Sequence, residues 1–287
     1  MDVIISSGEF SAAIKEKGAE LHSVKNKEGL EFMWQAGKAW ERHAPVLFPI
    51  VGRLKNDTYR YKDKEYKMSQ HGFARDRNFS LVTKTDSSCS FELQADAETK
   101  EVYPFDFKLR LIYHISGNKL QCSYEVENAG NTEMFFSIGA HPGFRCPLRN
   151  NENFSDYSLL FEQYTLLQTA LEGGLRSTDN KVVPMEGKKV PLSSNLFDND
   201  ALVFENKQIN SMALASEKSG HRITVNCRNW PYFGVWSKKG NTEFVCLEPW
   251  HGIADHVESG GDLEKKDGII SLGPGKVFKA SYELIFA

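Results

Sequence analysis

Alternation between apolar and polar residues, repeated at every second position, is the feature of this sequence that most constrains its fold. It is clearest in Val277–Phe286, where one set of alternate residues is Phe278, Ala280, Tyr282 and Leu284. Because successive side chains of a β-strand point to opposite faces, this pattern predicts a strand with one face in a core. Similar short segments recur along the chain, and the best candidate for a helix is Asp96–Tyr103.

The predicted strands are short and closely spaced. Ile4–Glu9 and Phe10–Lys15 predict an opening hairpin, and Gly117-Asn118 is typical of a hairpin turn. The other predicted strands are Glu20–Asn26, Phe32–Gln35, Phe79–Lys84, Cys89–Gln94, Phe107–Ser116, Lys119–Glu127, Tyr157–Phe161, Tyr164–Gln168, Met212–Ala215, Arg222–Cys227, Phe233–Trp236, Glu243–Glu248 and Val277–Phe286. Many short strands with regular turns predict an all-β protein, built as a large antiparallel β-sandwich.

No internal repeat, low-complexity tract or linker divides the 287 residues. The length suits one large domain or two of ordinary size. Gly173-Gly174 predicts a turn, and the rest of Glu172–Asn199 is expected to be rich in loops. Because no dividing segment is found, we expect a single domain that covers residues 1–287.

Composition and charge exclude several classes of function. The 35 basic and 38 acidic residues give a formal net charge of -3, which offers no electrostatic basis for binding nucleic acid or an anionic membrane. No apolar run approaches the length of a membrane span, and the first residues lack the features of a signal peptide. Five scattered cysteines, an odd number, argue against a disulfide framework. We therefore expect a cytoplasmic protein with reduced thiols.

The segment that ends at His141 is the first to suggest chemistry. A strand over Met134–His141 would place Ser137, Gly139 and His141 on one face, with apolar residues on the other. The two small residues predict an open lane in front of the imidazole, because glycine in a strand often marks a close approach. Pro142 is expected to end the strand and to hold His141 in extended backbone. A structural histidine that is hydrogen-bonded to a neighbour explains the same pattern.

A carboxylate ends the second informative segment. In Glu243–Glu248, one face carries Phe244, Cys246 and Glu248, so the acid follows an apolar row. Burial there would raise its pKa towards the range of a general base. Pro249 is expected to stop this strand. The alternative is a glutamate that emerges into solvent where the strand ends.

Three further motifs place polar side chains in apolar or glycine-containing sequence. His71 and Arg75 lie four residues apart, with a glycine between them that allows close backbone approach. Arg53 interrupts the apolar run Phe48–Leu54, and its planar fork suits hydroxyl or anionic oxygens. Asp200 precedes a strand-like run. A loop histidine, solvated ion pairs and a loop-capping aspartate explain these motifs equally well.

Other kinds of site find less support. His251 and His256 have no third ligand nearby in sequence, so no metal site is expected. Neither a nucleophile elbow nor a phosphate-binding loop is present, and a glycosidase would usually need a second carboxylate. Aromatic residues close to Glu248 in sequence suit a platform for a sugar ring, although such clusters more often belong to a core. They are Trp230, Tyr232, Trp236 and Trp250.

Five motifs resemble those of the aldose 1-epimerase (galactose mutarotase-like) family, and most closely its LacX-type branch, which is related to the hexose-6-phosphate epimerases. They are Phe48–Leu54 (FPIVGRL), His71–Arg75 (HGFAR), Ala140–Phe144 (AHPGF), Asp200–Phe204 (DALVF) and Leu247–Gly252 (LEPWHG). Their order and spacing match along nearly the whole chain. The family fold is a large β-sandwich, in agreement with the strand pattern.

The resemblance also implies a function and a set of roles. It implies a cofactor-independent aldose 1-epimerase in which Glu248 is the general base and His141 the general acid. It further implies that His71, Arg53 and Asp200 hold sugar hydroxyls. Opening a pyranose requires only that one proton leave the anomeric hydroxyl while another reaches the ring oxygen. No metal or nicotinamide is therefore expected.

Arg75 and Trp236 complete the expected substrate contacts, and two alternatives remain. If Arg53 and Arg75 converge on one site, a hexose-6-phosphate 1-epimerase becomes the alternative enzyme. A non-catalytic carbohydrate-binding or sensing module would keep the aromatic residues without needing an acid and a base.

The expected partner is a small-molecule sugar, either an aldohexose or its 6-phosphate. The first histidine motif reads Gln70-His71-Gly72-Phe73, whereas mutarotases proper carry an Asn-x-x-His-Gly type of sequence there. Galactose is therefore not carried over as the specific substrate. We expect neither nucleic acid nor a membrane as partner, and a monomer or weak homodimer.

Overall fold

The computed structural model describes residues 2–287, which form 24 strands, one short helix and four 3-10 turns. The first strands are β1 (Asp2–Ser6), β2 (Phe10–Lys15), β3 (Glu20–Asn26), β4 (Val46–Leu47), β5 (Thr58–Tyr61), β6 (Lys64–Lys67), β7 (Ser80–Lys84) and β8 (Ser88–Gln94). The next are β9 (Phe107–Ser116), β10 (Lys119–Asn128), β11 (Met134–Phe136), β12 (Ile138–Ala140), β13 (Gly143–Arg145), β14 (Tyr157–Phe161), β15 (Leu167–Glu172) and β16 (Leu175–Val182). The last are β17 (Lys189–Pro191), β18 (Leu202–Phe204), β19 (Ser211–Ser216), β20 (Arg222–Asn226), β21 (Tyr232–Trp236), β22 (Phe244–His251), β23 (Ile270–Leu272) and β24 (Val277–Phe286).

The helix is α1 (Ala97–Val102), and the 3-10 turns lie at Lys55–Asp57, Ala74–Asp76, Phe154–Asp156 and Leu263–Lys265. A capping box begins α1, because Asp96 accepts the backbone N–H of Thr99 while the Thr99 hydroxyl accepts that of Asp96. The predicted helix is thereby confirmed.

Most predicted strands are confirmed to within a few residues, and the others are corrected. The first strand is Asp2–Ser6 rather than Ile4–Glu9, and Tyr164–Gln168 lies mostly before β15. Glu172–Asn199 lies mostly outside strands, as expected, although it contains β16 and β17. The sequence of β16 hides this strand, since five consecutive residues at its end are exposed and leave no alternation to read.

Phe32–Gln35, predicted as a strand, forms no strand. Its neighbour Glu31 pairs with β3 only as an isolated bridge, and Met33 makes a second isolated bridge. The Glu31 carboxylate accepts the backbone N–H groups of Val24 and Met33, each at 2.9 Å. The Glu31 side chain therefore occupies one backbone N–H of β3 and one of the segment after it, which a regular strand ladder would have used.

Two large antiparallel sheets form the body of the fold, which confirms the all-β prediction. One has nine strands in the order β17-β14-β19-β20-β24-β10-β9-β8-β7. The other has eight, in the order β16-β15-β18-β21-β22-β12-β4 with β13 also paired to β22. The main hydrophobic core takes residues from both sheets, as in a β-sandwich. Smaller sheets are β1-β2-β3, β5-β6 and β11-β23.

Strand β22 is buried on both of its faces. Val245 and Leu247 belong to the main core, whereas Phe244 and Cys246 belong to a separate small cluster on the other face. Glu248 continues this second row, as predicted, and is 1% exposed. The strand thus supplies the core with one face and a potential site with the other.

The prediction that Pro249 ends this strand is wrong, because β22 continues to His251. Leu247 donates its backbone N–H to the Pro142 carbonyl at 3.1 Å. Since alternate residues of a strand point their N–H groups to the same neighbour, the donor that Pro249 lacks faces the end of β12. The ladder to β12 and β13 is interrupted at that point, whereas pairing with β21 continues through Pro249.

The strand predicted over Met134–His141 is two strands in different sheets. β11 pairs with β23, whereas β12 pairs with β22 and β4. Ser137, between them, donates its backbone N–H to the Pro49 carbonyl at 2.7 Å. The chain therefore passes from one sheet to the other at Ser137.

All five cysteines are free and buried. Within residues 2–287, no helix is long and apolar enough to cross a membrane.

A parallel bridge between Phe48 and Gly72 fixes the loop that carries His71. The Phe48 carbonyl accepts the backbone N–H groups of Phe73 and Ala74 at 3.0 and 3.2 Å. A Cβ on Gly72 would lie 2.3 Å from this carbonyl oxygen, and its φ is +68°. Only glycine fits this close approach of two backbone segments.

We predict that Gly72→Ala destabilises the protein more than Gly117→Ala does. Both glycines have positive φ, but a Cβ on Gly117 would meet nothing within 4 Å. The control should lower the free energy of unfolding by about 1 kcal/mol, the cost of a left-handed residue. Gly72→Ala should cost about 1–3 kcal/mol more, because of the backbone overlap. Urea denaturation measures both, and equal losses would contradict the close approach.

Candidate active site

All seven residues predicted for the site line one pocket of about 420 Å³. They are Arg53, His71, Arg75, His141, Asp200, Trp236 and Glu248. They come from loops and strands far apart in sequence, and the fold brings every one of them to the same cavity. Pocket residues that the motifs did not indicate include Trp40, Gln70, Leu171, Gly173 and Gly174.

One antiparallel register brings the two proposed proton carriers together. Gly139 pairs with Trp250, and Gly143 pairs with Cys246. Both pairs follow the same register, so the residue between them, His141, lies opposite Glu248. Directly opposed side chains in antiparallel strands share a face and lie close together. The His141 Nε2 and Glu248 Oε2 atoms are 3.2 Å apart.

Burial changes the protonation of both groups. It lowers the pKa of His141 to about 3 and raises the pKa of Glu248 well above its usual range. Burial thus favours the neutral form of each group, in which the carboxyl carries the proton of the pair. Moving that proton from the carboxyl to the imidazole creates an ion pair without changing the net charge.

The pair has unused hydrogen-bonding capacity. Within residues 2–287, Glu248 Oε1 and His141 Nδ1 are buried without a hydrogen-bond partner, whereas Glu248 Oε2 faces His141 Nε2. Buried polar atoms are usually satisfied, and exceptions concentrate where a ligand supplies the missing partner. The pair is therefore arranged to receive polar groups of a bound molecule.

Trp250 occupies the lane that was predicted to lie open in front of His141. A Cβ on Gly139 would approach the indole to 2.7 Å, and one on Gly234 would approach it to 2.4 Å. The two glycines lie on strands either side of Trp250, since its cross-strand partners are Gly139 on β12 and Tyr232 on β21. The absence of side chains thus makes room for a tryptophan, and the prediction of empty space is corrected.

Aromatic rings surround the His141 imidazole. Trp40 stacks on it with ring centroids 4.9 Å apart, and Trp236 meets it edge-on at 5.7 Å. Trp40 lies in a loop without any motif, so no signal in the sequence pointed to it. Of the four aromatics suggested as a sugar platform, only Trp236 and Trp250 line the pocket. Trp230 is a core residue whose indole donates to the Ser281 carbonyl at 2.8 Å.

His71 presents a hydrogen-bond donor to the pocket. Its ring Nδ1 accepts the backbone N–H of Gly52 at 3.1 Å. The backbone N–H of His71 donates to the Gly52 carbonyl at 2.9 Å. Burial lowers the pKa of His71 well below its usual value, with His141 nearby adding to the effect. A neutral ring whose Nδ1 accepts must carry its proton on Nε2.

Arg53 is already engaged by two partners. Its Nε and Nη2 donate to the two Asp57 oxygens, both at 3.1 Å, and its Nη1 donates to the Gly173 carbonyl at 3.1 Å. The bidentate partner balances the guanidinium charge. Two N–H groups of the fork remain for other acceptors.

Arg75 is less fully matched. Its Nη2 donates to the Gln70 carbonyl at 2.7 Å, whereas its buried Nε has no hydrogen-bond partner within residues 2–287. Asp76 lies 3.8 Å from Arg75 but is bonded to Arg42 at 3.0 Å. Burial lowers the pKa of Arg75 to about 10, and Arg42 adds to this shift. Two cations thus share one carboxylate at this corner of the pocket.

Asp200 lies at the exposed edge of the pocket, directly before β18. It adopts φ +80°, and its carboxylate accepts the backbone N–H of Ala201 at 2.8 Å. Its negative charge contributes to the raised pKa of Glu248. The carboxylate is accessible to a ligand while its backbone is held.

His141, Cys246 and Glu248 place a nitrogen, a sulfur and an oxygen within 4.8 Å of one another. Three such donors could surround a metal ion, but a thiol must lose its proton to bind one. Burial raises the pKa of Cys246 well above its usual value.

Comparison with known proteins extends over nearly the full chain. A family model described as aldose 1-epimerase matches residues 1–267. The chromosomal LacX protein of Lactococcus lactis subsp. lactis is 33% identical over 295 residues, which cover 99% of this chain and 99% of that protein. The structure of a galactose mutarotase related enzyme from Lactobacillus acidophilus is 39% identical, with a TM-score of 0.96 over 100% of this chain and 97% of that one. A galactose mutarotase-like protein from Lactobacillus casei ATCC 334 is 34% identical, with a TM-score of 0.93 over 100% of both chains.

We predict that the His71 ring stays neutral, with its proton on Nε2, as the pH falls through 6.5, where a free histidine titrates. A pKa lowered by burial means that the neutral form persists as the pH falls through that value. Long-range ¹H–¹⁵N NMR spectra distinguish the tautomers and the charged ring. The urea-unfolded protein is the control, and a His71 that becomes charged near pH 6.5 would contradict the prediction.

Proposed function

Since this chain belongs to the aldose 1-epimerase family, we propose that it interconverts the α and β anomers of an unphosphorylated aldohexose by general acid–base ring opening. The observation that carries the proposal is the buried contact of 3.2 Å between His141 and Glu248 inside the pocket. An acid and a base at one buried point are what opening and closing a sugar ring require. The reaction needs no cofactor.

The proposed reaction starts from the ion-pair form of the two residues. Glu248 accepts the proton of the anomeric hydroxyl while the His141 imidazolium donates its proton to the ring oxygen. The bond between the anomeric carbon and the ring oxygen breaks, which gives the open-chain aldehyde. Rotation about the bond between the first and second carbons presents the other face. Closure then returns both protons, so the enzyme ends as it began.

Other pocket residues are proposed to hold the sugar. The Nε2–H of His71 is a donor for a ring or hydroxyl oxygen, and the Asp200 carboxylate is an acceptor for hydroxyls at the exposed edge. Trp236 offers apolar surface to a sugar ring. Holding the reacting atoms in place accounts for a large part of such catalysis, because the uncatalysed reaction already proceeds in water.

Two arginines with different surroundings bear on whether the site suits a neutral or a phosphorylated sugar. The Arg53 charge is balanced by Asp57, so Arg53 suits neutral hydroxyls. The Arg75 corner has two cations for one carboxylate, and a phosphate dianion would supply the missing counter-charge. A hexose-6-phosphate 1-epimerase is therefore the alternative enzyme, with a free aldose as the leading proposal.

Glu248→Gln should abolish anomer exchange while leaving folding and sugar binding nearly intact. The amide preserves size but cannot accept the hydroxyl proton, and loss of a general base typically costs about 10²–10⁴-fold in rate. Exchange between anomers is measured by NMR on glucose and galactose. A variant with near wild-type exchange would exclude Glu248 as the base. A wild-type protein that binds sugars without exchanging anomers would instead support a binding or sensing module.

Arg75→Ala should leave kcat/KM for free glucose and galactose within about threefold of wild type, since one partly screened hydrogen bond is at stake. If the sugar 6-phosphate is the true substrate, wild type will prefer it strongly and the variant will lose that preference. Arg110→Ala removes a charge in the nine-stranded sheet, away from the pocket, and is the matched control. A strong phosphate preference that only Arg75→Ala removes would overturn the free-aldose proposal.

A further inference from the structure

The loop that carries Arg53 turns back on itself through unfavourable backbone. Asn56 and Asp57 both have positive φ, at 60° and 54°. Residues with a Cβ adopt such conformations at a cost, and these conformations are often associated with functional sites. Here the turn brings Asp57 four residues back along the chain to both Nε and Nη2 of Arg53.

The backbone of this loop is anchored on a buried ion pair. Lys266 Nζ lies 3.1 Å from Asp255 Oδ1, and both side chains are 3% exposed. Asp255 accepts the backbone N–H of Lys55 at 2.9 Å and donates its own N–H to the Arg53 carbonyl at 2.8 Å. The backbone of Arg53 is therefore fixed, and Asp57 determines the position of the guanidinium group.

The opposite wall of the pocket is the tip of the β15–β16 hairpin. Gly173 and Gly174 form its turn, with φ of +60° and +82°, and both line the pocket. A Cβ on Gly173 would meet nothing within 4 Å, and one on Gly174 would meet only Arg53. β16 is the edge strand of its sheet. Arg176, after the turn, is anchored by its bridge to His256 and by its backbone N–H, which donates to the Asp255 carbonyl at 2.8 Å. The turn itself is held by the bond from Arg53 Nη1 to the Gly173 carbonyl.

We infer that Asp57 is a positioning residue for the sugar site, an inference that rests on the proposed function. Asp57 does not line the pocket and acts through Arg53. It holds the guanidinium so that Nη1 fixes the hairpin tip while the two remaining N–H groups stay available to substrate oxygens. Arg53, Asp57 and the Gly173 carbonyl together form what we call the Arg53 clamp.

The exposure of the clamp separates this role from a stabilising one. The Arg53 and Asp57 side chains are 43% and 48% exposed, and ion pairs at that exposure contribute little to stability. Loss of Asp57 should therefore leave the fold intact. It should change the position of Arg53 and the mobility of the hairpin tip.

The test compares Asp57→Asn with wild type and with a matched control. Glu127 pairs with Lys108 at 3.0 Å and similar exposure in the other large sheet, so Glu127→Gln removes an equivalent surface pair away from the pocket. For Asp57→Asn we expect KM for the better of glucose and galactose to rise about 3- to 10-fold, with kcat changed less than about twofold. Glu127→Gln should change neither.

Hydrogen–deuterium exchange of residues 167–176 in the sugar-free protein gives a readout that does not need activity. Exchange at the hairpin tip should rise in Asp57→Asn and in Arg53→Lys, which keeps the charge but lacks the fork. Unchanged exchange in Asp57→Asn, or an equal rise in KM with Glu127→Gln, would overturn the inference. If the wild-type protein does not interconvert the anomers of any aldose, the proposed function fails. The hydrogen–deuterium exchange measurement still decides whether the clamp holds the tip.

Discussion

The candidate site depends on one antiparallel register in the eight-stranded sheet. Because β12 and β13 both pair with β22 in the same register, a break in the ladder at His141 leaves that residue opposite Glu248. A shift by one residue would send His141 to the other face, into the main core. The pairing of an imidazole with a carboxyl is therefore a consequence of backbone pairing, and no special loop is needed to bring the two groups together.

Both faces of β22 are buried, and this explains the electrostatics of the pair. Val245 and Leu247 pack in the main core, while the other row lies beneath the aromatic rings. A carboxyl at the end of such a row is deprived of water, which raises the pKa of Glu248. The same environment lowers the pKa of His141. The neutral form and the ion-pair form of the pair differ only in which residue carries the proton.

The sequence predicted most of the strand content, the second face of β22 and seven of the residues that line the pocket, because periodicity and motifs are local signals. It did not predict β16, whose exposed residues lack alternation, or the continuation of β22 through Pro249. That continuation depends on the pairing of β22 with β21, a property of the sheet rather than of the strand. Trp40 was missed for a similar reason, since its contact with His141 joins a featureless loop to a strand. Likewise, the space beside Gly139 was visible in the sequence, but its occupant, Trp250, was not.

The pocket has a floor formed by a strand of the core and walls formed by surface segments. His141 and Glu248 are set by the sheet register, whereas Arg53, Asp200 and the Gly173–Gly174 turn lie on separate surface segments. Substitutions in the floor therefore act on the proposed proton transfer, while those in the walls act on which molecule fits. A scaffold of this kind can acquire a new substrate by small, independent steps, since its chemistry and its recognition are inherited on different parts of the chain.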